Sequence, residues 1–89
     1  MGVIVMKDDD LINKVKTIVI DMLGVDEGKV TPDSKLREDL GADDMDLVEI
    51  VGSLIESFNI HITDDEVARA GTVKDLVNLV KSKTAIVTQ

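Results

Sequence analysis

Apolar positions Leu11, Ile12, Val15, Ile18, Val19, Met22 and Leu23 recur every three or four residues, the period of one buried face of a helix. The Asp8-Asp9-Asp10 cluster in front of them suits a helix start, and Gly24 just behind them suits a left-handed stop, so a first helix ending near Leu23 is predicted. From Val25 to Asp43 the period is lost. Thr31-Pro32-Asp33-Ser34 is a turn signal there, and Leu36 and Leu40 stand as isolated apolar anchors in a long loop. Loops of that length usually carry function or pack deliberately.

A second helix is predicted from Met45, Leu47, Val48, Ile50, Val51, Leu54, Ile55 and Phe58, with Asp43 or Asp44 as its cap and Asp46 near the positive end of its dipole. Asn59 to Ile62 alternates apolar and polar, the pattern of a short extended strand. Thr63-Asp64-Asp65-Glu66 has the spacing of a capping box and announces a short third helix ending near Gly71. Thr72 caps a last helix whose buried face is Val73, Leu76, Val77 and Val80, and the period fades from Ser82 to Gln89. The pattern predicts an all-α fold, a small four-helix bundle with a long loop between helices one and two. Its expected organisation is an N-terminal segment over 1–9, one domain over 10–83 and a tail over 84–89.

Eighty-nine residues close one hydrophobic core, and 44% hydrophobic with 31% charged residues is a folded composition. No apolar run approaches the roughly 20 residues of a membrane span. Val3 to Met6 is too short, and lacks the basic flank, for an export signal, and Met6 breaks the myristoylation pattern after Gly2. A cytoplasmic protein is expected.

Charge changes the picture more than composition does. Eighteen acids face ten Lys and Arg, a net charge of −8, which disfavours nucleic acid and anionic membrane as partners. Residues 38–66 hold ten of those acids and no Lys or Arg, which leaves eight acids and all ten bases to the other 60 residues. One reading is a solvated face that keeps a small protein soluble. The other follows from the repeated cost of like charges on one helix, and assigns the second helix to steering basic partners.

Chemistry is sparse. There is no Cys, Trp or Tyr, His61 is the lone imidazole, and no phosphate-binding glycine loop, zinc spacing or EF-hand run is present. No specific metal site is expected, only weak surface binding of divalent cations around Asp39–Asp46 or Asp64–Glu66. The chain reads as a non-enzyme.

Over about residues 10–83 the chain resembles the acyl carrier proteins. The likeness rests on Leu23-Gly24-Val25, Asp39-Leu40-Gly41-Ala42-Asp43, Asp46-Leu47-Val48-Glu49-Ile50, Phe58, Ile62 to Glu66 and Thr72-Val73. That resemblance implies a carrier for fatty acid or related lipid and polyketide biosynthesis. In the family an Asp-Ser-Leu motif opens the second helix, and its serine bears 4'-phosphopantetheine through a phosphodiester. The corresponding residues here are Asp43-Asp44-Met45. Asp44 at the cofactor position has no hydroxyl, so the chain as written is expected to carry no cofactor, and Ser34 and Ser53 do not match the family's site.

The resemblance further assigns Asp39, Asp43, Asp46, Glu49 and Glu56 to docking on basic surfaces of synthesis enzymes and of a phosphopantetheinyl transferase. It assigns Val48, Val51, Leu54, Ile62, Val67 and Ala70 to an acyl cavity; these are otherwise ordinary core. A monomer is expected. The alternative is a structural or regulatory interaction module that keeps the carrier fold and takes no part in acyl transfer.

Overall fold

The structure is a computed structural model and describes residues 8–84. Four helices follow one another as α1 (Asp8–Leu23), α2 (Asp44–Phe58), α3 (Asp64–Arg69) and α4 (Val73–Lys83), with a single 3-10 turn at Glu27–Lys29 inside the long connection. The all-α bundle expected from the sequence is the fold. The helix α1 takes in the aspartate cluster, so Asp9 and Asp10 sit in its first turn, where negative charge complements the helix dipole. The residue before it, the rest of the expected N-terminal segment over 1–7, and the tail over 85–89 lie outside the described residues.

The helix ends follow local chemistry. Gly24 closes α1 at φ 65°, its N–H donating to the Ile20 carbonyl at 2.8 Å. Asp43, not Asp44, caps α2: its carboxylate accepts from the Asp46 N–H at 2.9 Å while the Asp46 carboxylate accepts from the Asp43 N–H at 3.2 Å. Thr63 with Glu66 and Thr72 with Asp75 form the same reciprocal box on α3 and α4. The expected strand over 59–62 is absent, and no strand occurs among the described residues. Asn59 instead adopts φ 55° and ψ 52° as the left-handed cap of α2, and its N–H and that of Ile60 both donate to the Ile55 carbonyl. Asparagine is among the few non-glycine residues that tolerate this conformation, so a helix cap overrode a four-residue alternation.

The long connection is sewn to the start of α4. Leu36 N–H donates to the Gly71 carbonyl at 2.9 Å, Val73 N–H to Ser34 at 3.1 Å and Lys74 N–H to Pro32 at 2.9 Å, and Lys35 and Thr72 form an isolated antiparallel bridge. Buried Ser34 is fully occupied: its hydroxyl donates to the Lys29 carbonyl at 2.8 Å and accepts from the Thr31 N–H at 2.9 Å. Val30, Leu36, Leu40 and Ala42 of the connection join the core.

α1 packs on both α2 and α4, and α3 lies against α2. The core between them is aliphatic, from Leu11, Val15 and Val19 through Ile50 and Leu54 to Leu76 and Val80, with Phe58 as its one ring and Lys14 Nζ 5.8 Å from that ring's centre. Leu54 is 0% exposed whereas Val48, six residues earlier on the same helix, is 62% exposed. We therefore expect Leu54→Ala to cost about 2–5 kcal/mol in urea unfolding, and Val48→Ala to stay within about 0.5 kcal/mol.

One ion pair ties α3 to α4: Lys83 Nζ lies 2.9 Å from the Glu66 carboxylate. That contact, with the Thr63 N–H bond behind it, holds the Glu66 carboxyl down at about 2, from an ordinary value of 4.5. The Asp75 carboxyl is likewise lowered, chiefly by the Gly71 N–H, with desolvation opposing it and the Thr72 N–H and hydroxyl adding to it. A depressed carboxyl contributes stability that is complete above its unfolded-state value and disappears as pH falls through its folded-state value. Glu66→Gln should therefore melt below wild type at pH 7, and the two melting temperatures should converge between pH 4.5 and about 2. A gap that does not change with pH would assign the loss to something other than this charge.

Candidate functional site

Two features of α2 make the candidate site: an acid-rich outer face and an apolar groove along one flank. At about 100° per residue, Leu47, Ile50, Val51, Leu54 and Phe58 turn into the core, while Met45, Val48, Glu49 and Glu56 turn to solvent. Met45 at 68% and Val48 at 62% are the most exposed large apolar side chains among the described residues, and they share this face with the acids.

The five acids expected to dock partners differ in how free they are. Asp43 and Asp46 spend carboxylate oxygens on each other's backbone N–H, and the Asp39 carboxylate accepts from the Lys35 N–H at 2.9 Å. Glu49 and Glu56 are exposed and have no hydrogen bond or ion pair among the described residues. The sequence pattern marked all five alike because spacing carries no information on which carboxylates have local duties.

The groove lies between α2 and α3 and has a volume of about 470 Å³. Leu47, Val48, Val51, Ile55, Ile62, Val67 and Ala68 supply its apolar lining, and Arg37, Asp44 and Asp64 its charged one. Four of the six residues expected to form a cavity are therefore brought together: Val48, Val51, Ile62 and Val67. Leu54 is not among them: it is sealed in the core. Ala70 is not either: it follows the end of six-residue α3 in extended backbone and lines a separate groove with Glu66, Arg69, Asp75, Asn78 and Leu79. Ile55, seven residues after Val48, was legible from helical period as lying on Val48's stripe, though not as facing a groove. Gly52 was not; it puts no side chain into the lining, and a Cβ there would meet nothing within 4 Å.

Asp44 is the first residue of α2, exposed, and on the lining of this groove. Its carboxylate accepts a hydrogen bond from the Arg37 guanidinium, an ion pair joining the long connection to the start of α2. Arg37 escaped the sequence reading, since a lone cation seven residues away carries no periodic signal. Ser34 is buried and committed on both sides, and half-buried Ser53 lies about 13 Å along the axis from residue 44. His61 is exposed in the connection between α2 and α3. Among the described residues no group of three or more His, Asp or Glu is placed to hold a metal ion, and no helix is long and apolar enough to cross a membrane.

Residues 13–80 match the family described as "Phosphopantetheine attachment site". The chain is 40% identical over 80 residues to an acyl carrier protein of Thermosynechococcus vestitus, an alignment that covers 90% of this chain and 99% of that one. It is 44% identical over 72 residues to an acyl carrier protein of Akkermansia muciniphila, covering 81% and 90% respectively. With the four-helix bundle, the box-capped second helix and the groove beside it, these likenesses make the chain a member of the acyl carrier protein family.

Proposed function

We propose that this protein docks on enzymes of fatty acid or related lipid and polyketide synthesis through the outer face of α2, and that it docks without carrying. The observation that carries the reading is Asp44. In this reading Asp43-Asp44-Met45 stands for the family's Asp-Ser-Leu motif; Asp44 lies at the exposed start of α2 beside the apolar groove, and its carboxylate is engaged by Arg37. A carboxylate has no hydroxyl from which to form the family's phosphodiester. The docking half of the reading is supported by the run of ten acids without a base over residues 38–66, and by the unpaired Glu49 and Glu56 beside exposed Met45 and Val48. Basic patches on the synthesis enzymes and on a phosphopantetheinyl transferase are the complementary surfaces.

Intact mass after incubation with coenzyme A and a phosphopantetheinyl transferase tests the loading half. We expect no gain on the chain as it stands and a gain of one phosphopantetheine on Asp44→Ser. A gain on the unaltered chain would overturn the role given to Asp44. Failure of both would favour an interaction module that has left acyl transfer altogether.

Affinity for the same transferase tests the docking half. Glu49→Gln and Glu56→Gln should each weaken binding by roughly two- to fivefold, as expected for exposed charge pairs, and the effect should shrink as salt is raised. Identical affinities in all three chains would remove α2 from the interface.

A further inference from the structure

Away from the acid run of residues 38–66 the molecule holds a second groove. It lies between α1, the start of the long connection and α4, with a volume of about 430 Å³. Ile12, Pro32 and Val77 give it an aliphatic lining, and Lys16 from α1 and Lys74 and Lys81 from α4 give it charge. Asp33 is the one acid in that lining. Counting only Lys16 and Lys74 against Asp33, the lining is still positive on a molecule of net charge −8, and Asp75, whose carboxyl the Lys74 charge helps to lower, is the adjoining acid outside it.

The net charge of −8 does not cancel this inversion. None of residues 38–66 lines the groove, and charges farther away than about 8 Å are largely screened at physiological ionic strength. Lysine stems lie along apolar surface with their ammonium groups at the water's edge, so cations and aliphatic surface are presented together. The volume is in the range of about 300–1,000 Å³ typical of small-molecule sites. The lining has no aromatic ring, which leaves nothing for a nucleic acid base to stack on. What fits all of this is a small molecule with an anionic end and a flexible hydrocarbon body.

We propose that this groove binds a single-chain anionic amphiphile, with its head group between Lys16 and Lys74 and its hydrocarbon chain over Ile12 and Val77. The site is separate from the groove beside α2 and does not depend on residue 44. Lys74 is also anchored in place, because its own backbone N–H is tied to the Pro32 carbonyl at the groove's edge.

The test is methyl NMR of the full chain titrated with decanoate below its micelle concentration. Parallel titrations use acetate, which has the head without the chain, and decyltrimethylammonium, which has the chain with the opposite charge. Decanoate should shift the Ile12 and Val77 methyls saturably, and the two controls should not. Lys16→Gln with Lys74→Gln should weaken the decanoate response roughly fivefold, the size expected from losing exposed charge pairs. Far-ultraviolet circular dichroism would verify that the doubly substituted chain is folded.

Three results would overturn the proposal. The first is an absence of shifts at Ile12 and Val77, or decanoate shifts confined to Val48 and Val67 in the other groove. The second is an equal response to the ammonium amphiphile or an unweakened response in the lysine variant. The third is movement of the Ile12 and Val77 methyls on concentrating the protein alone, which would mean that a second copy covers the groove.

Discussion

The junction between the long connection and the start of α4 is the constraint on which the rest of the molecule depends. A helix start leaves its first N–H groups without partners inside the helix, and a long irregular segment has the same difficulty with its own backbone. Here each solves the other's problem. Val73 and Lys74 donate to the Ser34 and Pro32 carbonyls, Asp75 donates to the Thr72 hydroxyl at 3.2 Å, and Leu36 donates back to Gly71. With those groups satisfied, the connection can lie against the bundle and bury Val30, Leu36, Leu40 and Ala42. The stretch that follows then brings Arg37 to Asp44 and Asp43 to the cap of α2. The position of the candidate site thus follows from backbone hydrogen bonds made in the middle of the loop.

The core shapes the site in a second way. It is built from aliphatic side chains and one phenylalanine, so α2 needs only one stripe to hold it in place. That leaves the adjoining stripe, with Val48, Gly52 and Ile55, to face α3 across open space. α3 has six residues and none of them is buried; it is held by its capping box and by the Glu66–Lys83 pair more than by apolar packing. An element fixed mainly by polar contacts is drawn from the low-stability end of a structure, where a groove wall can yield without disturbing the core.

Charge is distributed to match. Around α2, carboxylates that cap helices and turns do local work, and those with no local task face outward beside apolar side chains. On the α1–α4 side the sign reverses, and lysines border an aliphatic groove. A net charge alone would describe a uniformly repulsive particle; the fold makes it a polarised one, with two chemically different surfaces.

Four helices, the caps of α3 and α4 and the direction of the buried faces can be read from the sequence alone. Leu11-Val15-Val19 and Leu76-Val80 announce their stripes through a period of three to four residues, and Thr63 and Thr72 announce caps, because those interactions reach only a few residues along the chain, whereas the choice of Asp43 over Asp44 and the left-handed cap at Asn59 were not legible. The family was legible for the same reason: its motifs are short and contiguous. Tertiary structure decided what each face meets. Period alone could not separate Val48, which borders a groove, from Leu54, which is sealed in the core, since both belong to one apolar pattern and differ only in which neighbour lies opposite. Nor could it seat Ser34 under the loop, turn Ala70 toward α4 or bring Arg37 to Asp44. Those outcomes depend on contacts between segments distant in sequence, and no local propensity encodes them.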